Sequence, residues 1–364
     1  MGVSAWLFCV QVGMPGDLGD IWSPAELMRA RVGIAYVGPS ASFVSNPALV
    51  ANIAGREFSL LTDVVVYSGK YGLQVLPKIY QKRRLLETYV ENPQRNWSDM
   101  QQAFGDTPHE WGFGGVRIGL LEYEEKGIAS GIAIHTSESI KVVLDAIDST
   151  LYLHQGAMSL LVWSFALGRH LIEHEQWSIS VGVGGKLWGF LNLRPVLLES
   201  LEALRGRITR LSSRFLWMDG QHGYGFRGDL GLIVRRRAKG FSVGLRVRNV
   251  ISSYSGEIRP RHLDWGFCWR PFGRRRNGFV RSVTVVADAL DRGPHFLGGI
   301  KPGLAIGSNW RSGELWVGRS GSTTTAGIGF FLRRVRFGYA ILSKWESGLP
   351  AGGATHLAYL RFVP

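Results

Sequence analysis

Apolar and polar residues take turns along most of this chain, and that alternation restricts its fold more than any motif does. Residues 240–250, Gly-Phe-Ser-Val-Gly-Leu-Arg-Val-Arg-Asn-Val, show the form. Phe241, Val243, Leu245 and Val247 hold every second place; Ser242, Gly244, Arg246 and Arg248 hold the places between. A strand turns successive side chains to opposite faces, so this one has a greasy face and a cationic face. In a soluble protein the greasy face meets a core and the arginines meet water. In a membrane barrel the greasy face meets lipid and the arginines point inward.

The pattern recurs at 224–235, 262–270, 282–288, 326–332 and 335–341. Over the whole chain about fourteen such segments, each near ten residues, are separated by short turns or longer polar loops, which is the sequence sign of a transmembrane antiparallel β-barrel. Closing an even number of strands removes the exposed edges of a long open sheet. A propeller would need a repeat of about forty residues with internal similarity, and none is present. A soluble β-protein that buries its greasy faces against one another is the competing reading.

Composition favours the barrel. Only 19% of the 364 residues are charged, against roughly 25% in soluble domains, while Gly (48) and Trp (13) are abundant. The formal net charge of +14 invites nucleic acid, an anionic surface or an anionic ligand. No nucleic-acid recognition motif accompanies the charge, so no nucleic-acid partner is expected. The basic clusters at 82–84, 235–237 and 274–276 read as turns or loop edges. Cys9 and Cys268 suggest neither a disulfide framework nor a metal site. The opening stretch from Gly2 to Met14 resembles a degenerate signal core without basic residues before it, as expected if the reading frame begins further upstream. No apolar run is long enough for a transmembrane helix.

Two segments depart from period two. Residues 80–105 are polar and helix-prone, with Pro93 as a break. In 195–212, Leu197, Leu201, Leu204, Ile208 and Leu211 recur at spacings of four and three, which predicts one amphipathic helix packed on or plugging the β-structure. The segment Gly72–Tyr80 reads as strand-like.

Residues 30–61 contain a small-residue run, then Asn46, Pro47 and Ala48, then the opening of the first strand at Glu57, Phe58 and Ser59. This stretch resembles the N-terminal signature of the FadL-like and PorV-like outer-membrane β-barrel proteins. The segment ending at Asn249 and the tail from 301, with Phe337-Gly-Tyr-Ala340, resemble later strands of that group. The resemblance implies a fourteen-stranded barrel over 56–364 and a small N-terminal hatch within 1–55, with Asn46, Pro47 and Ala48 in the hatch. It implies the bacterial outer membrane and its lipid as surroundings. It implies either passive uptake of hydrophobic, acidic small molecules such as long-chain fatty acids, or a scaffold that receives exported proteins.

The inward faces would carry Arg227, Arg246, Arg248 and Arg270 as candidate ligand-binding residues in the lumen. Arg235, Arg281, Arg333 and Arg336 lie on similar strands, although Arg281 shares the parity of Val283 and Val285. One reading is a cationic lumen that attracts carboxylates. The other is a ladder of Arg–Asp pairs, with Asp229, Asp264 and Asp288, that fills the lumen. Asn46-Pro47 is either a movable plug element or a fixed turn. Trp163, Trp188, Trp265, Trp269, Trp310, Trp316 and Trp345 suit interfacial girdles, or in part an apolar pocket. His170 and His174 lack the order of a zinc-protease helix, and Gly182–Gly185 is followed by no helix, so neither metal nor phosphate loop is read there. No catalytic residue, cofactor or energy-coupling motif is expected.

Overall fold

The computed structural model describes residues 28–29, 32–37, 43–53, 55–82, 84–86, 88, 93–107, 112–145, 150–198, 221–237, 240–254, 260–271, 280–291, 300–310, 312–333, 335–343 and 354–362. Among them the alternating segments form fourteen strands: β1 (Arg56–Gly69), β2 (Gly112–Glu125), β3 (Ile128–Asp145), β4 (Thr150–Glu173), β5 (Trp177–Leu198), β6 (Gln221–Arg236), β7 (Phe241–Tyr254), β8 (His262–Trp269), β9 (Val280–Asp291), β10 (Ile300–Trp310), β11 (Gly313–Ser320), β12 (Thr323–Leu332), β13 (Val335–Leu342) and β14 (Thr355–Phe362). Each pairs antiparallel with its sequence neighbours, and β14 returns to β1 from Asp63↔Arg361 to Gly69↔Thr355, so the sheet is a closed barrel.

The greasy places face outward. On β4, Leu161, Trp163, Phe165 and Leu167 are exposed, whereas Leu160, Val162 and Ala166 between them are buried. On β7, Leu245 is exposed and Arg246 and Arg248 are each 1% exposed. A polar interior beneath a continuous apolar exterior is the arrangement of a barrel standing in lipid.

The strands are not uniformly near ten residues. β4 has 24 and β5 has 22, against 8 in β8, β11, β13 and β14. At about 3.4 Å per residue, β4 runs roughly 80 Å and overtops an apolar band about 25 Å tall. The two ends also differ. At one end β2–β3, β4–β5, β6–β7, β10–β11 and β12–β13 are joined by short turns, with 270–279 the longer exception. At the other lie the long connections 70–111, 199–220 and 343–354, with 146–149 and 321–322 short.

Three local expectations are corrected. Residues 72–80 belong to helix α1 (Lys70–Gln81), because Val75 and Leu76 are adjacent apolar residues that break period two. Pro93 opens helix α2 (Pro93–Phe104) rather than breaking one; proline suits a first helical turn, where its missing N–H has no partner to lose. The helix read over 195–212 does not begin at Pro195. Residues 196–198 extend β5 by pairing with 153–155, and Pro195 falls at an irregularity in that ladder, where a proline is tolerated. Residues 199–212 lie outside the described residues.

Candidate functional site

The described residues 28–29, 32–37 and 43–53 lie inside the barrel and are fastened to its wall by directed bonds. Asn46 is the hub. Its Oδ1 accepts from Ala48 N at 3.0 Å, capping the 3₁₀ turn Pro47–Asn52. Its Nδ2 lies 3.1, 3.4 and 3.2 Å from the carbonyl oxygens of Ile34, Leu232 and Leu245. The side chain thus ties the hatch to itself and to β6 and β7. Pro47 and Ala48 are buried beside it. The wall makes room by omitting side chains. A Cβ on Gly231 would stand 2.0 Å from Asn46 Oδ1, and one on Gly182 would stand 2.5 Å from the Pro47 carbonyl. Glycine is the residue that admits such backbone approach.

Further along the hatch, Gly33 N and Ile34 N donate to Asp288 Oδ2 at 2.5 and 3.0 Å. Ser242 Oγ donates to Ala35 O at 2.7 Å, and Thr325 Oγ1 to Met28 O at 3.0 Å. The Arg29 guanidinium stacks 4.4 Å from the Tyr36 ring and 5.4 Å from that of Trp316. Trp316 and Trp188 are therefore interior residues and not part of a girdle; Trp163, Trp265 and Trp269 face outward, and Trp345 lies outside the described residues.

The lumen arginines meet acids and hatch carbonyls. Arg246 places Nε and Nη2 at 3.1 and 2.8 Å from Asp264 Oδ2, and its Nη1 donates to Val44 O at 3.1 Å. Arg248 Nε donates to the same carboxylate oxygen at 2.7 Å. Arg227 lies 3.1 Å from Asp229, and Arg270 Nη2 donates to Val37 O at 2.5 Å.

These pairs also repair the sheet. The β8–β9 ladder runs only from Trp265↔Ala289 to Trp269↔Val285. Beyond it, Asp291 N donates to Asp264 Oδ1 at 3.0 Å and Asp291 O accepts from Arg248 Nη2 at 2.5 Å. In β7, Arg248, Asn249 and Val250 stand opposite the single residue Asp229. Asn249 takes φ 57 in this bulge, a left-handed conformation that asparagine tolerates, and its N–H donates to Asp229 Oδ1 at 3.1 Å.

The opposite wall is different. β1 and β2 bulge at the same height: Leu60 pairs Leu121 and Asp63 pairs Gly119, leaving Leu61 and Thr62 opposite Leu120. A small cavity of about 50 Å³ opens there, between hatch residues Phe43 and Val44 and the wall. Ion pairs Asp63–Arg117 and Glu122–Arg361 edge it, the latter at 3.0 Å, and Leu121, Ile132 and Val162 supply apolar lining. Sequence reading missed this group. Its signal was a lone charge, Asp63 or Arg117, within an otherwise apolar strand segment.

Ser180, His170 and Glu173 also come together, with Ser180 Oγ 2.9 Å from His170 Nδ1 and His170 Nε2 3.9 Å from Glu173. Ser180 is buried, and Asn52 Nδ2 lies 3.5 Å from its hydroxyl. Asn52 of the hatch thus sits against the Ser180 hydroxyl. Among the described residues no group of three or more His, Cys, Asp or Glu could hold a metal ion.

No family model and no curated protein matches this chain. Among solved structures it is similar to the Pseudomonas putida toluene transporter TodX, at 12% identity over 90% of this chain and 94% of that one, with a TM-score of 0.46. It is similar to a Pseudomonas aeruginosa FadL homologue, at 12% identity over 92% and 96%, with a TM-score of 0.42. It is also similar to the Salmonella typhi outer membrane phospholipase, at 12% identity over 88% and 98%, with a TM-score of 0.31. The fold itself, a closed antiparallel barrel of fourteen strands, rests on the hydrogen-bonded ladder and not on these likenesses.

Proposed function

We propose that this chain is a FadL-like barrel of the bacterial outer membrane, and that hydrophobic small molecules, long-chain fatty acids among them, cross it by passive diffusion. The observation that carries the reading is the divided interior. On the β6–β12 side the described hatch residues are bonded to the wall through Asn46, Gly33, Ile34, Ala35 and Met28. Against β1–β4 the hatch leaves a cavity, beside strands whose pairing is interrupted by paired bulges. The cavity must widen to take an amphipathic molecule, whose chain would then meet Phe43, Leu121, Ile132 and Val162 and whose head group would meet Arg117 and Arg361 in place of Asp63 and Glu122. The other candidates for the head group are Arg227, Arg246, Arg248 and Arg270, which a ligand would reach only by displacing Asp264, Asp229 or hatch carbonyls.

Uptake of labelled oleate into cells that depend on this barrel tests the proposal. Arg117→Gln with Arg361→Gln is expected to cut uptake several-fold, and more than Arg246→Gln with Arg248→Gln at equal folded amounts. The reverse order would move the head group to the arginines at Asp264. No uptake above background, together with co-purification of exported proteins, would replace the transport reading with a scaffold.

A further inference from the structure

Four charged side chains line the cavity beside Phe43 and Val44, and their charges cancel. Asp63 pairs with Arg117, and Glu122 with Arg361. All four are largely shielded from solvent: their side chains are 4%, 16%, 20% and 25% exposed for Asp63, Arg117, Glu122 and Arg361. The remaining described lining is uncharged, the hatch residues included.

The charges next to this group do not relieve it. Glu124 lies two residues beyond Glu122 on the same face of β2, and Glu57 on β1 stands opposite Glu124. Glu124 and Glu122 are in hydrogen-bonding contact. On β13, Arg336 stands opposite Arg361. On β3, His135 stands opposite Arg117, further toward the long-connection end, where it hydrogen-bonds Tyr67.

An anionic head group that draws Arg361 away from Glu122 upsets the balance. The lining passes from neutral to one negative charge. Glu122 is then left beside Glu124 without its arginine, and two carboxylates in contact cannot both stay ionised cheaply. Burying an unpaired charge is costly, and a carboxyl escapes that cost by taking a proton. Asp63 differs, because it pairs with Arg117 and also stands opposite Arg361, so it can share both with an incoming anion.

We infer that an anionic amphiphile enters this cavity together with one proton, which the Glu122–Glu124 pair takes up, whereas an uncharged amphiphile enters without one. The inference rests on the cavity being the ligand's seat, as proposed above. No energy source is needed; the proton moves because the complex holds one more than the free protein. Affinity for the anion therefore climbs as pH falls.

Two probes of equal chain length test it, dodecanesulfonate and dodecanol. The sulfonate stays ionised throughout, so any proton taken up belongs to the protein. Binding of each labelled probe to the intact protein in bilayer nanodiscs is measured from pH 5.5 to 8.5, with empty nanodiscs as the blank. The expected sulfonate affinity rises by up to about ten-fold for each unit of falling pH, the slope of one proton, while dodecanol affinity stays flat. Glu122→Gln should flatten the sulfonate profile without weakening binding at the alkaline end, and Asp63→Asn should leave the slope in place. A heat-dependent gel shift confirms that each variant is folded. A flat sulfonate profile in the unaltered protein, a slope that survives Glu122→Gln, or an affinity that follows sodium concentration and not pH would overturn the inference while leaving the cavity as the seat. Failure of both probes to bind above the blank would overturn the seat and the inference together.

Discussion

The wall from β1 to β4 and the wall from β6 to β9 enclose the same hatch and treat it in opposite ways. On the β6–β9 side, buried charges do the work of missing backbone pairs. Asp264 serves two arginines and the Asp291 amide, and Asp288 receives two hatch amides. On the β1–β4 side, the charges pair across neighbouring strands and leave a cavity. The difference teaches that arginine in a barrel lumen is ambiguous by itself. Arginines of both walls are paired with carboxylates; what separates them is that Arg117 and Arg361 border a cavity, whereas Arg246 and Arg248 are closed in by Asp264 and by backbone carbonyls.

Three experiments press on that comparison. The largest effect is expected from Asp264→Ala, which leaves Arg246 and Arg248 buried without their carboxylate. Removing one partner of such a group costs about 3–5 kcal/mol. Asp63→Ala, at the cavity edge, should cost less, about 1–3 kcal/mol. Urea unfolding followed by the heat-dependent gel shift compares the two; equal losses would erase the distinction between the walls.

A smaller effect, on the hatch alone, is expected from Gly231→Val. Its side chain would take the place of Asn46 Oδ1. The barrel should still close, but residues 28–53 should become open to protease or to labelling of a cysteine placed at Ser45. Gly189→Val, where a Cβ meets nothing within 4 Å, is the matched control and should stay protected. Protection retained in both would mean that the seat yields.

The smallest effect lies outside both walls. Beyond the end of β1, Lys78 hydrogen-bonds Asp106 and holds its carboxyl below the ordinary value of 3.8. A depressed carboxyl contributes stability above its ordinary value and loses it as pH falls through the lowered one. Acid denaturation should therefore shift slightly upward in pH in Lys78→Gln, and only slightly, because the pair is exposed.

Much of the barrel was legible because period two is a local property. Phe241 to Val247 need no partner to declare which places are greasy. The strand count followed by repetition. What escaped depends on residues distant in sequence. Nothing near Trp316 says that Arg29 will cover it, so its inward place was unreadable. Leu197 fits a helical spacing, and only pairing with the start of β4 makes its backbone a strand. The bulges at Leu61 and Asn249 are offsets between two strands, invisible in either alone. For the same reason the paired alternatives for Arg246 stayed open until Asp264 and Val44 stood beside it.

The bonds that seat the hatch span most of the chain. Gly33 reaches Asp288 across 255 residues, and Met28 reaches Thr325 across 297. Met28 and Gly33 therefore have no receptor until the last third of the sequence exists and is in place. Such separations make closure slow compared with pairing of adjacent strands. Met28 and Gly33 are synthesised before their partners, so the hatch can be completed only near the end, and for most of assembly this protein is a barrel wall growing around a plug that is not yet fully seated.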